Sequence, residues 1–419
     1  MLASYKQYVL GTKAILPYGI RRIEDYAFYE CRGLTSIEIP DSVTIIGNKA
    51  FEGCTSLINI VIPKNVTSIG NWAFERCRSL TSIEIPDNVT DIGARAFGYC
   101  TCLSDIEIPD SVTSIGAFAF RGCTGLTSIK IPDSVTNIGN GLFYECSCLT
   151  SIKIPDSVSR IGEGMFYGCS SLTGIKISDS VTRIDDNAFF GCMGLTSIEI
   201  PHSVTSFRSG AFGCCNLERI LVHPLNPYYF SSDNCLLSKD RERLVLGCKT
   251  SKIPNSVTSI EDDAFYGCVG LISIKIPNSV TNIGNSAFGE CTNLISIEIP
   301  NSVKDIGHQA FYGCTSLTSI KIPDSVTQIC RRAFGGCTGL TEIEIPDSVF
   351  FIWSKAFEGC VDLTSIKLHI KQPSKAQALL IAAGLKGLDR ISLFTPVGTG
   401  YAYRHNEYFS QFKEVKPEL

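Results

Sequence analysis

Cysteine is the residue type in this chain that could do the most chemistry, as a nucleophile, a metal ligand or a disulfide partner. The chain has 20 cysteines among 419 residues. Their spacing in phase with apolar residues predicts buried free thiols that act as small apolar side chains, as suits a reducing or anaerobic setting. Disulfides between successive cysteines, and a zinc site formed by Cys100-x-Cys102 and Cys146-x-Cys148, are the alternatives. Fourteen cysteines recur in two series of 23-residue steps, each three residues after a phenylalanine: Cys31, Cys54, Cys77, Cys100, Cys123, Cys146, Cys169, Cys192, Cys215, Cys268, Cys291, Cys314, Cys337 and Cys360.

Carboxylates form a second regular row. The residue after each of these aspartates is a serine or asparagine, whose side chain is predicted to hydrogen-bond to turn backbone. Aspartate is common in turns, which is the simpler interpretation of the row. Weak Ca²⁺ binding is the alternative hypothesis, because carboxylate oxygens are calcium ligands. The row consists of Asp87, Asp110, Asp133, Asp156 and Asp179.

No constellation in the sequence predicts catalysis. The five histidines are scattered, and His202 stands where other repeats have aspartate. The sequence has no Gly-rich phosphate loop, no His-Glu metal motif and no nucleophile elbow. Because catalysis needs converging groups, we predict a protein that is not an enzyme and has no cofactor.

The same period identifies the scaffold that carries these side chains. A fixed repeat of this length predicts a solenoid, in which each repeat is one coil stacked on the next. A single coil is too small to bury its own apolar side chains, so stacking is a condition of folding. Phenylalanine marks the coils at Phe28, Phe51, Phe74, Phe97, Phe120, Phe143, Phe166, Phe189, Phe212, Phe265, Phe288, Phe311, Phe334 and Phe357.

Residues 34–54 show what one coil contains. Ile37 and Ile39 alternate with polar residues, which predicts a short strand. Pro40 ends this strand because proline has no N–H for a sheet ladder, and a second short extended piece follows. The segment Ala50–Cys54 then closes the coil, either as a helical turn or as an irregular arc.

The repeat resembles a known bacterial family. Its residues read Leu34-Thr35-Ser36-Ile37-Glu38-Ile39-Pro40-Asp41-Ser42-Val43-Thr44-x-Ile46-Gly47-x-x-Ala50-Phe51-x-x-Cys54, with copies over roughly residues 11–370. This pattern resembles the BspA-like leucine-rich repeats, also called the treponemal 23-residue type. The resemblance implies a leucine-rich-repeat solenoid, commonly on bacterial surfaces, that binds proteins or attaches to host material.

The interruptions of the period divide the chain. The predicted fold is a repeat solenoid, mainly β with short helical or irregular turns, with one inserted hairpin and a C-terminal cap. The hairpin is predicted from two apolar runs that flank a charged turn, and the cap includes a predicted helix over 376–385. The predicted segments are an N-terminal cap at 1–13, coils at 14–222, the inserted hairpin at 223–252, coils at 253–373 and the cap at 374–419.

Three aromatic residues near the end of the repeats are unusual. Phe350, Phe351 and Trp353 occupy positions that are polar or glycine in most other coils. We expect the C-terminal cap to cover them, and an exposed aromatic patch is the alternative.

Charged residues on the predicted strands indicate where a partner binds. Glu84 and Glu107 are followed by Lys130, Lys153 and Lys176, whereas the C-terminal half alternates lysine and glutamate, so that its charges offset one another. Insertions in repeat proteins often contribute to binding, so the insertion's tyrosines are further candidates. The predicted site for a protein or glycan partner therefore consists of Glu84, Glu107, Lys130, Lys153, Lys176, Tyr228 and Tyr229.

Composition limits the partner and the location. A net charge of −4 argues against nucleic acid, and the lack of an 18-residue apolar stretch argues against membrane insertion. Residues 1–13 show no secretory signal, so a surface role predicts an export signal elsewhere. The resemblance favours a surface-associated or secreted binding protein in adhesion or host recognition. The abundant thiols favour the alternative, an intracellular interaction scaffold.

Overall fold

The computed structural model describes residues 5–208 and 210–416. Its internal contacts divide the chain into two compact units, Met1–Cys215 and Asn216–Leu419. The segment boundaries predicted from the repeat do not include this division, and they remain predictions. Residues 1–4 of the predicted N-terminal cap lie outside the described residues.

The first unit opens with a short 3-10 helix and a hairpin. The 3-10 helix spans Tyr5–Tyr8, and the strand Val9–Leu10 pairs antiparallel with Lys13–Ile15. Gly11 lies in the hairpin turn with a φ of 67°, a left-handed conformation that glycine adopts without strain. Lys13–Ile15 then pairs parallel with Ser36–Glu38, which starts the stack of coils.

Parallel strands on one side of the first unit form the surface that we call the strand face. Neighbouring strands pair in register, so that each residue lies opposite the equivalent residue of the next coil, as in Ser82 opposite Asp105 and Ser151 opposite Gly174. Single bridges at Val61 and at Ser128 fill two gaps in the series. The strands are Lys13–Ile15, Ser36–Glu38, Ser82–Glu84, Asp105–Glu107, Ser151–Lys153, Gly174–Lys176 and Ser197–Ile200.

Shorter strands on another side of each coil form what we call the second sheet. They follow the proline turn, in which Val43 N–H donates to the Pro40 carbonyl. In the first unit these strands are Arg22–Ile23, Ile45–Ile46, Ser68–Ile69, Asp91–Ile92, Ser114–Ile115, Asn137–Ile138, Arg160–Ile161, Arg183–Ile184 and Ser206–Phe207.

The remaining side of each coil is an irregular arc and not a helical turn. Lys49 and Gly53 have φ values of 57° and 76°, which an α-helix does not permit. The arcs are joined between coils by backbone hydrogen bonds, such as Phe51 N–H to the Ala73 carbonyl at 2.7 Å. Three backbone ladders thus hold each coil to the next.

The core of the first unit is a stack of identical side chains. The rings from Phe28 to Phe212 lie nearly parallel, with neighbouring centroids 4.7–5.8 Å apart. The thiol of Cys54 donates to the Phe28 carbonyl of the preceding coil at 3.2 Å, and the same bond recurs along the unit. All cysteines are free, and nearly all of those in the ladder are buried, which confirms the predicted buried thiols.

The second unit has the same two sheets. Its strand face consists of Arg219–Val222, Ser273–Lys275, Ser296–Glu298, Ser319–Lys321, Glu342–Ile345 and Ser365–Leu368. Its second sheet contains Ser259–Ile260, Asn282–Ile283, Asp305–Ile306, Gln328–Ile329 and Phe351–Ile352. The phenylalanine stack from Phe265 to Phe357 has centroid spacings of 5.0–5.4 Å.

The insertion contains the predicted hairpin and one further strand. Cys235–Ser238 pairs antiparallel with Arg243–Leu246, as predicted, and Tyr229–Ser232 pairs with Cys235–Ser238 on its other edge. The turn between Tyr229–Ser232 and Cys235–Ser238 is Asp233-Asn234, with φ values of 50° and 57°. Two positive φ values are what a two-residue type I′ hairpin turn requires.

The C-terminal segment covers the apolar end of the second unit. The helix Pro373–Ala383 begins with proline and ends before Gly384, whose φ of 76° is typical of a helix C-terminus. Short helices at Leu388–Arg390, Gly400–Arg404 and Glu407–Gln411 follow. Two strands that we did not predict, Ser392–Phe394 and Glu414–Lys416, extend the strand face in parallel.

Side chains of the cap complete the core of the second unit. Tyr403, Phe409 and Phe412 are buried with the repeat residues. The Tyr403 hydroxyl donates to the Ile370 carbonyl at 2.6 Å, so the one polar group of this buried side chain has a hydrogen-bond partner. Because the end of a solenoid exposes an unpaired apolar layer, these three rings replace the contacts of a further coil.

Candidate functional site

The five charged residues predicted on the strand face of the first unit lie in one exposed row. The isoleucines at the strand centres are buried or, at Ile175, half-buried, and their neighbours point outward, so the charged side chains share one surface. We call Glu84 and Glu107 the acidic pair, and Lys130, Lys153 and Lys176 the basic triad. Four of the five lie on strands, and Lys130 follows the single bridge at Ser128 by two residues, so the coils place all five in sequence order.

Charges of the same sign are neighbours in this row. Glu84 lies opposite Glu107, and Lys153 lies opposite Lys176. None of the five side chains forms an ion pair with another residue in the described part of the chain. Like charges directly opposite each other destabilise a sheet, so this pattern does not serve the fold.

The surface around the row is polar and shallow. One depression of about 570 Å³ is lined by Asp105, Lys130 and Lys153 together with the serines of the same strands. A second, of about 380 Å³, is lined by the acidic pair and Lys130. Serine side chains are too small to fill the space between the long charged side chains, so the five charged side chains project from a flat surface.

The aspartate row lies at an exposed turn of the first unit. Ser178 donates to Asp156 at 2.5 Å, and His202 lies 3.3 Å from Asp179, so two of the five carboxylates already have protein partners. Among the described residues, no three His, Cys, Asp or Glu side chains are grouped so as to hold a metal ion. Calcium binding by Asp87, Asp110, Asp133, Asp156 and Asp179 stays a prediction.

The paired cysteine motifs do not form a common site. Cys100 is buried in the ladder and donates to the Phe74 carbonyl, whereas Cys102 is exposed. Cys146 and Cys148 differ in the same way. The two cysteines of each motif therefore face different surroundings, which disagrees with the alternative of a zinc site.

The tyrosines of the insertion differ in exposure. Tyr228 is exposed, and Tyr229 is half-buried at the start of its strand. Asn226 is completely buried, and its side-chain oxygen accepts hydrogen bonds from both tyrosine N–H groups at 2.8 Å. The Lys239 ammonium donates to the Asn226 carbonyl, which ties this turn to the hairpin. Tyr228 is thus the more accessible of the two, and the role of both in binding stays a prediction.

The strand face of the second unit carries its charges in opposite pairs. Lys321 lies 2.9 Å from Glu344, and His369 lies 3.0 Å from the same carboxylate. Partial burial alone would raise the pKa of Glu344, but hydrogen bonds from Lys321 and His369 outweigh it and lower that pKa. Lys367 pairs with Glu342 at 2.7 Å. The predicted alternation of sign therefore yields one ion pair within the row, Lys321 with Glu344, whereas Lys275 and Glu298 make none in the described chain.

Two buried carboxylates in the first unit were not identified from the sequence. Glu52 and Glu75 lie on adjacent arcs and are only 4% and 3% exposed. Lys49 lies 3.2 Å from Glu52, and Arg95 lies 3.9 Å from Glu75. Burial, and then the neighbouring Glu52, raise the pKa of Glu75. The sequence pattern that could have identified these two residues is a glutamate directly after the core phenylalanine in two successive coils.

The expectation that the cap covers the three unusual aromatics was wrong. Phe350, Phe351 and Trp353 are 64%, 45% and 43% exposed. The helix of the cap accepts hydrogen bonds from the arc at Lys355 and Phe357 and contacts the strand Phe351–Ile352, yet it does not cover these three side chains. The alternative that the sequence left open, an exposed aromatic patch, is the observed arrangement.

The described part of the chain contains no helix whose length and hydropathy would let it span a bilayer.

Comparison with known proteins identifies the family. The family described as BspA type leucine rich repeat region matches residues 5–126, 90–218 and 246–372. A leucine rich cell surface protein from Faecalibacterium prausnitzii is 32% identical, with 90% of this chain and 92% of that chain covered and a TM-score of 0.62. A leucine-rich repeat protein from Bacteroides ovatus is also 32% identical, with 85% and 86% covered and a TM-score of 0.56. None of the curated proteins compared with the chain matches it. With most of its length matched, the chain belongs to the BspA-type leucine-rich-repeat family.

Proposed function

We propose that the chain is a non-catalytic recognition protein, surface-associated or secreted, whose strand face in the first unit binds a protein partner in adhesion or host recognition. The observation that carries the proposal is the unpaired row formed by the acidic pair and the basic triad. Charges that repel one another in the free protein gain most from a partner with the complementary pattern. A partner with a basic patch beside an acidic patch fits this row.

The surface location is supported by the likeness to a bacterial cell surface protein at 32% identity. The ladder thiols are compatible with an oxidising exterior, because burial raises their pKa, as for Cys77 and Cys100, and only the thiolate is reactive. The exposed Cys102 and Cys148 favour the second candidate, an intracellular interaction scaffold, because a reducing cytosol protects exposed thiols.

Protease treatment of intact source cells separates the two locations. Peptides of this chain that are released before lysis, and identified by mass spectrometry, are the expected result. Protection of the chain until lysis would contradict the surface role and would leave the scaffold.

Charge reversal tests the binding face. In a panel of extracellular-matrix and host-surface proteins, with host glycans alongside, the triple variant Lys130→Glu, Lys153→Glu and Lys176→Glu should lose at least tenfold in affinity, about 1.4 kcal/mol. The reversal also lines up like charges from Glu84 to Glu199, so a second variant replaces the same three lysines with serine. This neutral variant should also lose affinity, and its melting temperature should not fall, because the triad makes no ion pair in the described chain.

A control with the same change in net charge uses exposed basic residues outside the strand face. Arg21, Lys64 and Arg78 are exposed, and reversal of all three to glutamate should leave binding unchanged. Equal losses in the two charge-reversal variants would indicate a general charge effect. Binding only to glycans would contradict the choice of a protein partner.

A further inference from the structure

The second sheet of the second unit ends beside a polar groove. The groove has a volume of about 390 Å³, and Asn282, Asp305, His308 and Gln328 are among the residues that line it. Gln328 lies opposite Phe351 in the parallel pair of the last two strands. The exposed aromatic residues Phe350, Phe351 and Trp353, which we call the aromatic end, thus adjoin a row of hydrogen-bonding side chains.

Glycines contribute backbone to the lining of the groove. A Cβ atom on Gly284 or Gly307 would come within 2.6 or 2.5 Å of the backbone of the preceding coil. The backbones of successive coils are in close contact at these positions, so no side chain fits there and bare backbone lies between the polar side chains of the groove. The same position is Cys330 in the next coil and Trp353 in the coil after that, so the indole lies at the end of this row.

Three contacts orient the indole of Trp353. Its Nε1–H donates to the Gln328 side-chain oxygen at 3.3 Å. Its ring lies 5.9 Å from His308 and 5.2 Å from Phe351, at interplanar angles of 81° and 79°. Neither contact is a parallel stack, so among the described residues no ring lies flat on the indole or on Phe351.

The groove offers both acceptors and donors to a ligand. The carboxylate of Asp305 is exposed and makes no hydrogen bond or ion pair within the described part of the chain. The Gln328 amide uses its oxygen for Trp353, which leaves its NH₂ group to donate. His308 Nδ1 accepts from the Arg331 N–H at 3.2 Å, so the neutral imidazole carries its proton on Nε2 and can donate there.

These groups match a ligand that has an apolar face and several hydroxyls. Aromatic rings offer flat apolar surfaces, and a few well-placed polar groups give a site its specificity. The carboxylates of Asp262 and Asp305 in the same groove repel phosphate, sulfate and carboxylate groups. We propose that the groove and the aromatic end bind a neutral oligosaccharide, which stacks on Trp353 and hydrogen-bonds to Asp305, Gln328 and His308.

Tryptophan fluorescence provides a direct test on the full chain. The chain has two tryptophans, so Trp72→Phe leaves Trp353 as the single reporter. Titration with cellotetraose, xylotetraose, mannotetraose and chitotetraose should give a saturable change in Trp353 emission with at least one of them. Lack of any saturable change with all four would overturn the proposal.

Calorimetry with the sugar that binds then assigns the residues. Trp353→Ala should weaken binding about tenfold or more, and Trp353→Phe should restore part of that loss because a flat ring remains. Asp305→Asn should weaken binding about fivefold, since a charge-assisted hydrogen bond becomes a neutral one. Thermal melts by circular dichroism establish that each variant is folded.

Two controls keep the site specific. Tyr18 is 97% exposed and lies in the first unit, and Tyr18→Ala should leave sugar binding unchanged. Equal affinity of Trp353→Ala and Tyr18→Ala would overturn the proposal. Tetramethylammonium is the other probe, because carboxylates beside aromatic rings also suit a cation. Saturable binding of this ion, lost in Asp305→Asn, without sugar binding would identify a cation site instead.

This inference is independent of the proposed function. Reversal of the basic triad should not alter sugar binding, because the triad belongs to the strand face of the first unit. Loss of both activities in one variant would point to misfolding, which the melts detect.

Discussion

The strand faces of the two units have the same backbone register, and they differ in how their charges are paired. In the first unit Glu84 lies opposite Glu107 and Lys153 lies opposite Lys176, without ion pairs in the described chain. In the second unit Glu344 lies between Lys321 and Lys367 in register and binds Lys321. One scaffold therefore tolerates both patterns, which means that outward charges are free to vary.

The difference separates stability from recognition. Paired charges in the second unit stabilise the folded state, and they leave little electrostatic potential to attract a partner. Unpaired charges in the first unit oppose folding slightly and remain available for binding. This interpretation makes opposite predictions for substitutions on the two faces.

The largest effect on stability is expected at the paired face. Glu344→Lys should lower the free energy of unfolding by about 1–2 kcal/mol, because the ion pair with Lys321 and the hydrogen bond with His369 are lost and three lysines are placed side by side. Denaturant unfolding at pH 7 measures the change. Glu298→Lys is the control, because Glu298 makes no ion pair in the described chain. An equal loss at Glu298 would contradict the role of pairing.

The pH dependence of the same site has a definite sign. The pKa of Glu344 is lowered in the folded protein, so its contribution is present above the unfolded pKa and is lost as pH falls through the folded pKa. The loss of stability between neutral and acidic pH should be smaller in Glu344→Gln than in the natural protein. Denaturant midpoints at several pH values test this, and identical slopes would contradict it.

A buried charge in the first unit should behave in the opposite way. Glu75 has a raised pKa, so its protonated form favours folding and that contribution is lost as pH rises through the folded pKa. Glu75→Gln should therefore raise stability at pH 7, and the gain should shrink at acidic pH. Thermal melts at both pH values measure it. A loss of stability at pH 7 would show that the bond to Arg95 dominates.

A smaller gain is expected when the unpaired face is made to resemble the paired one. Lys153→Glu places a carboxylate between Lys130 and Lys176, which should stabilise the fold by about 0.5 kcal/mol. The same change should weaken the binding proposed for this face. Unfolding and binding measured on one preparation test the comparison, and improved binding would break it.

Calcium should have the smallest effect. If the aspartate row binds the ion, millimolar CaCl₂ should raise the melting temperature slightly more than MgCl₂ does, and Asp133→Asn should reduce the difference. Equal melts in both salts would contradict the calcium hypothesis and leave turn chemistry as the role of the row.

The fold could be predicted in detail where the same residue type recurs at the same position of every coil. The phenylalanine period predicted the stack, and the two apolar runs in the insertion predicted the hairpin, whose register the structure shows as Leu236 opposite Leu246. The residues after the aspartates were predicted to bond to turn backbone, and Ser111 donates to the Val89 carbonyl at 2.7 Å. Ser279 and Ser302 occupy the same place in coils of the second unit, after asparagine, and their buried hydroxyls lack a protein partner.

Other features depended on contacts between segments. Lys49 adopts a positive φ although it is not glycine, because backbone bonds to the next coil hold the arc. The strand Tyr229–Ser232 forms because a two-residue turn brings it beside Cys235–Ser238. Neither feature follows from the spacing of apolar residues in the sequence.

The sequence by itself determined the solenoid, the buried thiols and the order of charges along the strand face, because a fixed period translates position directly into a place on a coil. Only the tertiary structure decided which charges are paired, that Glu52 and Glu75 are buried together, and that the aromatic end is open. These outcomes depend on how side chains from successive coils and from the cap meet. The cap's helix hydrogen-bonds to the arc and contacts the strand Phe351–Ile352 without covering the side chains of Phe350, Phe351 and Trp353, which stay accessible.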